Sequence, residues 1–149
     1  MKQYLALDVG GTNTRIALFS IAEKDKLHII KEERYSTQKA NNLNEMLFDF
    51  HSAMDNIEAI VIAVAGPVIN NEVQLTNVRW KVNKTELIET LGVQRIYILN
   101  DLEASALGIP FMPESELKLI HKAEKKVFGN AAVIAPGTGL GEAAMYWDG

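Results

Sequence analysis

The stretch that decides the reading is Leu5-Ala6-Leu7-Asp8-Val9-Gly10-Gly11-Thr12-Asn13-Thr14-Arg15. An apolar run from Tyr4 to Leu7 passes through Asp8 and Val9 into a glycine pair, and Arg15 to Ile21 is apolar again. The pattern predicts a buried strand, a tight turn and a second strand. Glycines at such a turn adopt dihedrals that other residues avoid and let the backbone approach a ligand with no Cβ in the way. Exposed amides there, with the hydroxyls of Thr12 and Thr14, suit the oxygens of a phosphate. Asp8 at the strand end suits a magnesium ion held through water, since that ion sheds its hydration reluctantly. An ordinary Gly-Gly hairpin with a capping aspartate fits the same letters.

Working outward, Leu27 to Tyr35 alternates loosely, completing three expected antiparallel strands. Leu43, Met46, Leu47, Phe50 and Met54 fall at helical spacing and predict one apolar stripe on a helix of about three turns. Ile57 to Ala65 is almost wholly apolar and β-branched, as in a strand buried on both faces, and Gly66-Pro67 ends it. Asn83 to Leu91 reads as a short helix capped by Gly92, and Arg95 to Leu99 as another strand. Leu102 to Leu107 reads as a helix with Gly108 as its C-cap and Pro110 closing it. Ala131 to Ala135 predicts a last buried strand, Pro136 to Gly141 a glycine-rich turn, and Ala143, Met145 and Trp147 alternate on an outgoing strand. The order is β-β-β-α-β-α-β-α followed by a hairpin, a mixed α/β layout with helices covering a central sheet. Phe111 to Lys126, rich in charge, is the expected surface excursion.

Length and composition bound the rest. The chain has 149 residues, room for one domain with a sizeable core. It is 48% hydrophobic and 23% charged, with a mean hydropathy of -0.01, as a soluble globular protein is. A net charge of -4 gives no reason to expect nucleic acid or an anionic membrane as partner. The absence of cysteine excludes disulfides and thiolate metal sites. No apolar run approaches the ~20 residues that span a bilayer. Met1-Lys2-Gln3 leads straight into the first strand, a poor signal peptide, so the cytoplasm is the expected compartment. The sequence stops at Tyr146-Trp147-Asp148-Gly149, directly after an apolar segment, which suggests a truncated protein or an isolated domain; a natural stop with a frayed end is the alternative.

Two further groups of residues carry chemistry. Pro136-Gly137-Thr138-Gly139-Leu140-Gly141 lacks the spacing of a dinucleotide fingerprint, because position 142 is Glu and a strand, not a helix, follows. A second phosphate-cradling hairpin fits better; a plain glycine-rich turn fits too. Asn100-Asp101 stands at the carboxyl end of a strand, where ligands of open α/β sheets gather. A carboxylate there can take a proton from an attacking hydroxyl while the amide fixes a polyol. Aspartate is equally a favoured helix N-cap.

Taken together, the three groups form an ordered set that resembles the hexokinase–actin–chaperone ATPase superfamily. The closer resemblance is to the bacterial glucokinase family. It is carried by residues 5–15, by Ala63-Val64-Ala65-Gly66-Pro67-Val68, Leu75-Thr76-Asn77-Val78-Arg79-Trp80 and Leu99-Asn100-Asp101-Leu102-Glu103-Ala104, and by Ala135 to Gly141. The resemblance implies an α/β, ribonuclease H-like (actin-like ATPase) domain, a mixed five-stranded sheet with helices on both sides. It implies ATP and Mg2+ as cofactors, glucose or a related hexose as substrate, and a homodimer as one possible assembly. Residues 1–149 would be the N-terminal, smaller lobe of a sugar kinase, ending where a second lobe starts.

Residue by residue, the resemblance makes Asp101 the catalytic base and Asn100 a sugar-hydroxyl contact. Asp8 would stand by the magnesium–phosphate group, with Gly10, Gly11, Thr12 and Asn13 as the first phosphate loop. Gly137, Thr138 and Gly139 would make the second, with Gly137 and Thr138 also near the substrate. Gly66, Pro67, Thr76 and Asn77 would shape the sugar cleft. The family's Glu-x-x-His pair and a later glutamate should follow the second loop and are not in this sequence, so the 149 residues alone are expected to be inactive. One lobe alone should bind sugar weakly, and an apolar patch could drive its self-association.

Other residues have plainer readings. His28, His51 and His121 have no partner at metal-ligand spacing, Trp80 and Trp147 read as packing residues, Glu103 as solvated or capping, and Lys118 to Lys126 as a solvated face. Rival functions are a kinase for another hexose or an amino sugar, a non-catalytic sugar-binding domain, and a sugar-sensing regulator. The regulator is disfavoured because a DNA-binding helix-turn-helix would precede a first strand that is expected at about residue 4.

Overall fold

The structure is a computed structural model that describes residues 2–21, 27–50, 56–75, 78–122, 124, 128–136 and 140–149. The chain divides into two compact units, Met1–Asp101 and Leu102–Gly149.

The first unit is built on one sheet. Strands β1 (Gln3–Val9), β2 (Asn13–Ile21) and β3 (Leu27–Ser36) form the expected antiparallel meander. Strands β4 (Ile57–Val64) and β7 (Ile96–Asn100) extend it in parallel, giving the order β3-β2-β1-β4-β7. The sheet is therefore mixed and five-stranded, as expected. Between β4 and β7 lie β5 (Glu72–Gln74) and β6 (Lys81–Asn83), a small antiparallel pair not anticipated from sequence. Helix α1 (Leu43–Phe50) precedes β4, and α2 (Lys84–Leu91) precedes β7.

Alternation along the strands puts one apolar row of each on the same face. Leu5, Leu7 and Val9 align with Leu18 and Ile16 on one side and with Ile60, Ile62 and Val64 on the other, and all are buried. Leu43, Met46, Leu47 and Phe50 of α1 and Leu87 of α2 join the same cluster. Both helices start on asparagine caps. Asn42 Oδ1 accepts from Glu45 N at 2.9 Å, and Asn83 Oδ1 accepts from Thr85 N and Glu86 N at 2.9 and 3.2 Å. Gly92 closes α2 in the left-handed region at φ 69°, as its sequence position predicted.

The opposite face of the sheet departs from expectation. Strand β4 is buried on one side only: Val61 is 38% exposed, and its neighbour on β7, Tyr97, 52%. An all-apolar run did not distinguish a strand covered once from one covered twice, because Ala59, Val61 and Ala63 are small enough to tolerate partial exposure.

In the second unit, α3 (Asp101–Gly108) straddles the division and runs into a 3-10 turn at Ile109–Phe111. Gly108 does not cap it in the expected way; at φ -79° it stays right-handed, and Pro110 opens the tighter turn that follows. Residues 112–122 are irregular and exposed, with one 3-10 turn at Glu114–Glu116. Strands β8 (Ala131–Pro136) and β9 (Leu140–Met145) pair as the predicted hairpin, but β8 is not the buried strand expected: none of its residues is buried, and Ile134 is 64% exposed. Trp147 packs only in part: it stacks on Phe128 with centroids 5.8 Å apart but remains 52% exposed. Trp80 behaves as a packing residue, donating from Nε1 to Ala40 O at 3.1 Å. No helix among the described residues is long and apolar enough to cross a membrane.

Candidate active site

Three loops leave the sheet from one edge. Val9, Val64 and Asn100 stand in register as the last residues of parallel neighbours β1, β4 and β7. The segments that follow them, Gly10–Thr12, Ala65–Pro67 and Asp101, consequently emerge side by side. With strands ~4.8 Å apart, Asp8 lies about 10 Å across the sheet from β7, two strand spacings away. Residues far apart in the chain thus gather where open α/β sheets hold ligands.

The first loop is pinned at several points. Gly10 N donates to Asn13 O at 3.0 Å, and Ala65 N donates to Val9 O at 3.2 Å. A Cβ on Gly10 would stand 3.1 Å from Asn13 O, so this turn closes too tightly for a side chain there. Gly11 is half-buried, whereas Thr12 and Asn13 are exposed. Thr14 corrects the sequence reading: its side chain is fully buried and its hydroxyl lies 2.8 Å from Thr37 Oγ1, so it does not face a phosphate. Asp8 is exposed at the end of β1. Its cross-strand neighbour Arg15 turns aside, with Nε 3.3 Å from Glu32 Oε1, and Asp8 forms no ion pair among the described residues.

At the second loop, Asn100 Nδ2 donates to Gly66 O at 3.0 Å, so the asparagine ties the end of β7 to the turn after β4. Gly66 has φ 148°, a conformation that favours glycine, and Pro67 beside it is exposed. Asp101 follows as the first residue of α3, partly exposed. The structure thus brings Asp8, the Gly10–Asn13 loop, Gly66, Pro67, Asn100 and Asp101 to one edge of the sheet. Thr76, Asn77, Gly137, Thr138, Gly139 and His51 lie outside the described residues. Within the second unit, Gly141 leaves room for Leu102, whose Cδ1 would lie 2.8 Å from a Cβ at that position.

Among the described residues no group of three His, Cys, Asp or Glu side chains stands together as a metal cage. His28 and His121 are exposed. The exposed carboxylate of Asp8 at the end of β1 would suit a magnesium ion held chiefly by phosphate oxygens and water.

Perturbed titrations are found at two polar clusters of the first unit. Glu72 accepts from Lys81 Nζ and from Asn83 Nδ2, both at 2.7 Å, and these bonds hold its carboxyl below the ordinary 4.5. Lys81 is raised in turn above 10.5. Burial and the 2.5 Å bond it donates to Glu33 Oε2 push the Tyr35 phenol up, and that bond with the Lys31 contact lowers Glu33. A depressed carboxyl stabilises the fold above its ordinary value and loses that contribution as pH falls through the native value. Glu72→Gln should therefore flatten the acid limb of stability between about pH 4.5 and the lower native value, measured as denaturant midpoints across pH. The effect is small because the pair is exposed. An unchanged acid limb would remove Glu72 from the account.

The tight turn that leads into β5 was missed in the sequence although it left a signal. Asn70 and Asn71 both have positive φ, 52° and 61°, between the bridged residues Ile69 and Glu72. That is a two-residue turn of the kind asparagine tolerates best.

Fold and site together define a member of the actin-like ATPase class, with a ribonuclease H-like sheet and a glycine loop after its first strand. The sequence model of glucokinase matches residues 5–149. The chain belongs to the glucokinase family. It is 35% identical over 144 residues to a glucokinase of Nitrobacter hamburgensis, covering 95% of this chain and 43% of that protein. A glucokinase of Trichormus variabilis is 31% identical over 152 residues, which cover all of this chain and 44% of that one. The crystal structure of a glucokinase from an Antarctic psychrotroph superposes with a TM-score of 0.85 at 27% identity, covering 98% of this chain and 47% of the other. The chain thus spans less than half the length of the relatives it matches.

Proposed function

We propose that this chain is the N-terminal lobe of a cytoplasmic glucokinase that moves the γ-phosphoryl group of ATP to the 6-hydroxyl of glucose. The observation that carries the reading is the convergence of the Gly10–Asn13 loop, Gly66-Pro67 and Asn100-Asp101 at the carboxyl edge of β1, β4 and β7, in a chain that matches the family over residues 5–149. In phosphoryl transfer a protein contributes positioning and charge stabilisation more than covalent chemistry. Asp101 takes the proton of the sugar hydroxyl as its oxygen bonds to the γ-phosphorus, the bond from that phosphorus to the β–γ bridging oxygen breaks, and ADP leaves with the electron pair. Asn100 and Asp101 orient the sugar, and the amides of Gly11 to Asn13 receive the phosphate oxygens. Magnesium, when bound beside Asp8, supplies charge neutralisation to the phosphates.

The test is glucose 6-phosphate formation from glucose and ATP with magnesium, by the full reading frame and by the 149 residues alone. Turnover by the first and none by the second is expected. No turnover by the full protein with any hexose would overturn the reading, and turnover with another hexose only would move the substrate.

A further inference from the structure

Thr37 belongs to none of the motifs that point to function, yet it is fully buried and polar. Its amide donates to Thr12 O at 2.9 Å, one step beyond the Asn13–Ser36 pair that ends the β2–β3 register. Its hydroxyl lies 2.8 Å from that of Thr14, which is also fully buried. One residue thus grips the loop after β1 on both sides of Asn13: by the carbonyl of Thr12, within the loop, and by the side chain of Thr14, where β2 resumes. Among the described residues each hydroxyl has the other as its partner, and a buried donor left without an acceptor carries a desolvation cost.

We propose that Thr37 is a positioning residue for nucleotide binding: it holds residues 10–14 in the shape in which the amides of Gly11 to Asn13 receive phosphate. The proposal rests on the phosphotransfer reading above and reaches beyond it to a residue outside the motifs. Thr37→Val keeps the volume and the amide but replaces the hydroxyl with a methyl group, leaving the Thr14 hydroxyl buried without its partner. The loop is then free to shift toward water, and its amides lose their alignment. Thr37→Ser restores the hydroxyl.

In the full-length protein, Thr37→Val should raise the KM for ATP by about tenfold, the effect of one hydrogen bond lost behind the site. The KM for glucose should stay within about twofold, since the sugar segments hang on other strands. Thr37→Ser should return the ATP constant to near its starting value. Leu47→Ala, which destabilises the same core from α1, serves as the control for a merely structural effect and should leave the ATP constant unchanged. An unchanged KM for ATP in Thr37→Val, or an equal rise in both constants, would overturn the proposal. Hydrogen exchange of the peptide spanning residues 8–14, measured without any ligand, separates the two readings. Faster exchange in Thr37→Val but not in Leu47→Ala supports the clamp even if the full protein phosphorylates no sugar, and unchanged exchange refutes it.

Discussion

Asp101→Asn in the full-length protein should lower kcat for glucose phosphorylation by about 10²–10⁴-fold, the usual contribution of a general base. That range corresponds to roughly 3–5.5 kcal/mol of barrier. The substitution is informative because of where the structure puts the residue. Asp101 opens α3 at the end of β7, so a helix-starting role competes with the catalytic one. Asparagine caps helices about as well as aspartate, and it keeps an oxygen acceptor for the sugar hydroxyl, but it cannot take the proton. The variant should therefore melt within a degree or two of the parent and bind glucose with a similar KM while failing in turnover. A kcat within a few-fold of the parent would show that Asp101 is a helix-starting residue and that the base lies elsewhere. Loss of stability along with activity would make the kinetic result a folding effect instead.

Phe50→Ala should cost about 3–5 kcal/mol of folding free energy, the range for removing a large aromatic side chain from a packed core. Phe50 is wholly buried at the end of α1 and belongs to the cluster that fastens this helix to the sheet. The ring also receives Lys31, whose Nζ stands 4.4 Å above its centroid and donates to Phe50 O at 3.3 Å. The truncation removes the cation–π contact as well as the packing, whereas the carbonyl contact can survive. Denaturant unfolding should show a large fall in midpoint with little change in slope. A loss below about 1 kcal/mol would mean that the core collapses around the gap, and that α1 is seated by Leu43, Met46 and Leu47 without it. Phe50→Leu, which keeps most of the buried area, should recover much of the difference.

The parts of this molecule that were legible in the sequence are those whose local pattern and long-range role agree. The β1–β3 meander showed itself through apolar runs broken by Gly10-Gly11, α2 through Asn83 and Gly92 at its two ends, and β7 through its β-branched run before Asn100. The site was legible for the same reason: Asp8, Gly66 and Asn100-Asp101 each end a recognisable strand, and register alone brings them together. What the sequence hid was tertiary. Thr14 reads as one more hydroxyl in a phosphate loop, yet it shares the buried face of β2 with Ile16 and Leu18, and Thr37, just past β3, gives its hydroxyl a partner there. Gly108 carries every local mark of a left-handed cap, yet the chain keeps winding into a 3-10 turn with Pro110. The β5–β6 pair is held by Glu72, Lys81 and Asn83, a set with no periodicity to reveal it.

The order β3-β2-β1-β4-β7 has a consequence for how the protein comes into being. Strands β1, β2 and β3 pair with one another through local contacts, and β4 joins on the other edge of β1, so the glycine loop can close while the rest of the chain is still unpaired. Asn100 and Asp101 have no such independence. Their strand docks on β4, which must first find β1 across the intervening helix, and pairings of that sequence separation close slowly. The Gly10–Asn13 loop is therefore an early, local product of folding, and Asp101 reaches its place only when the last parallel strand is laid down.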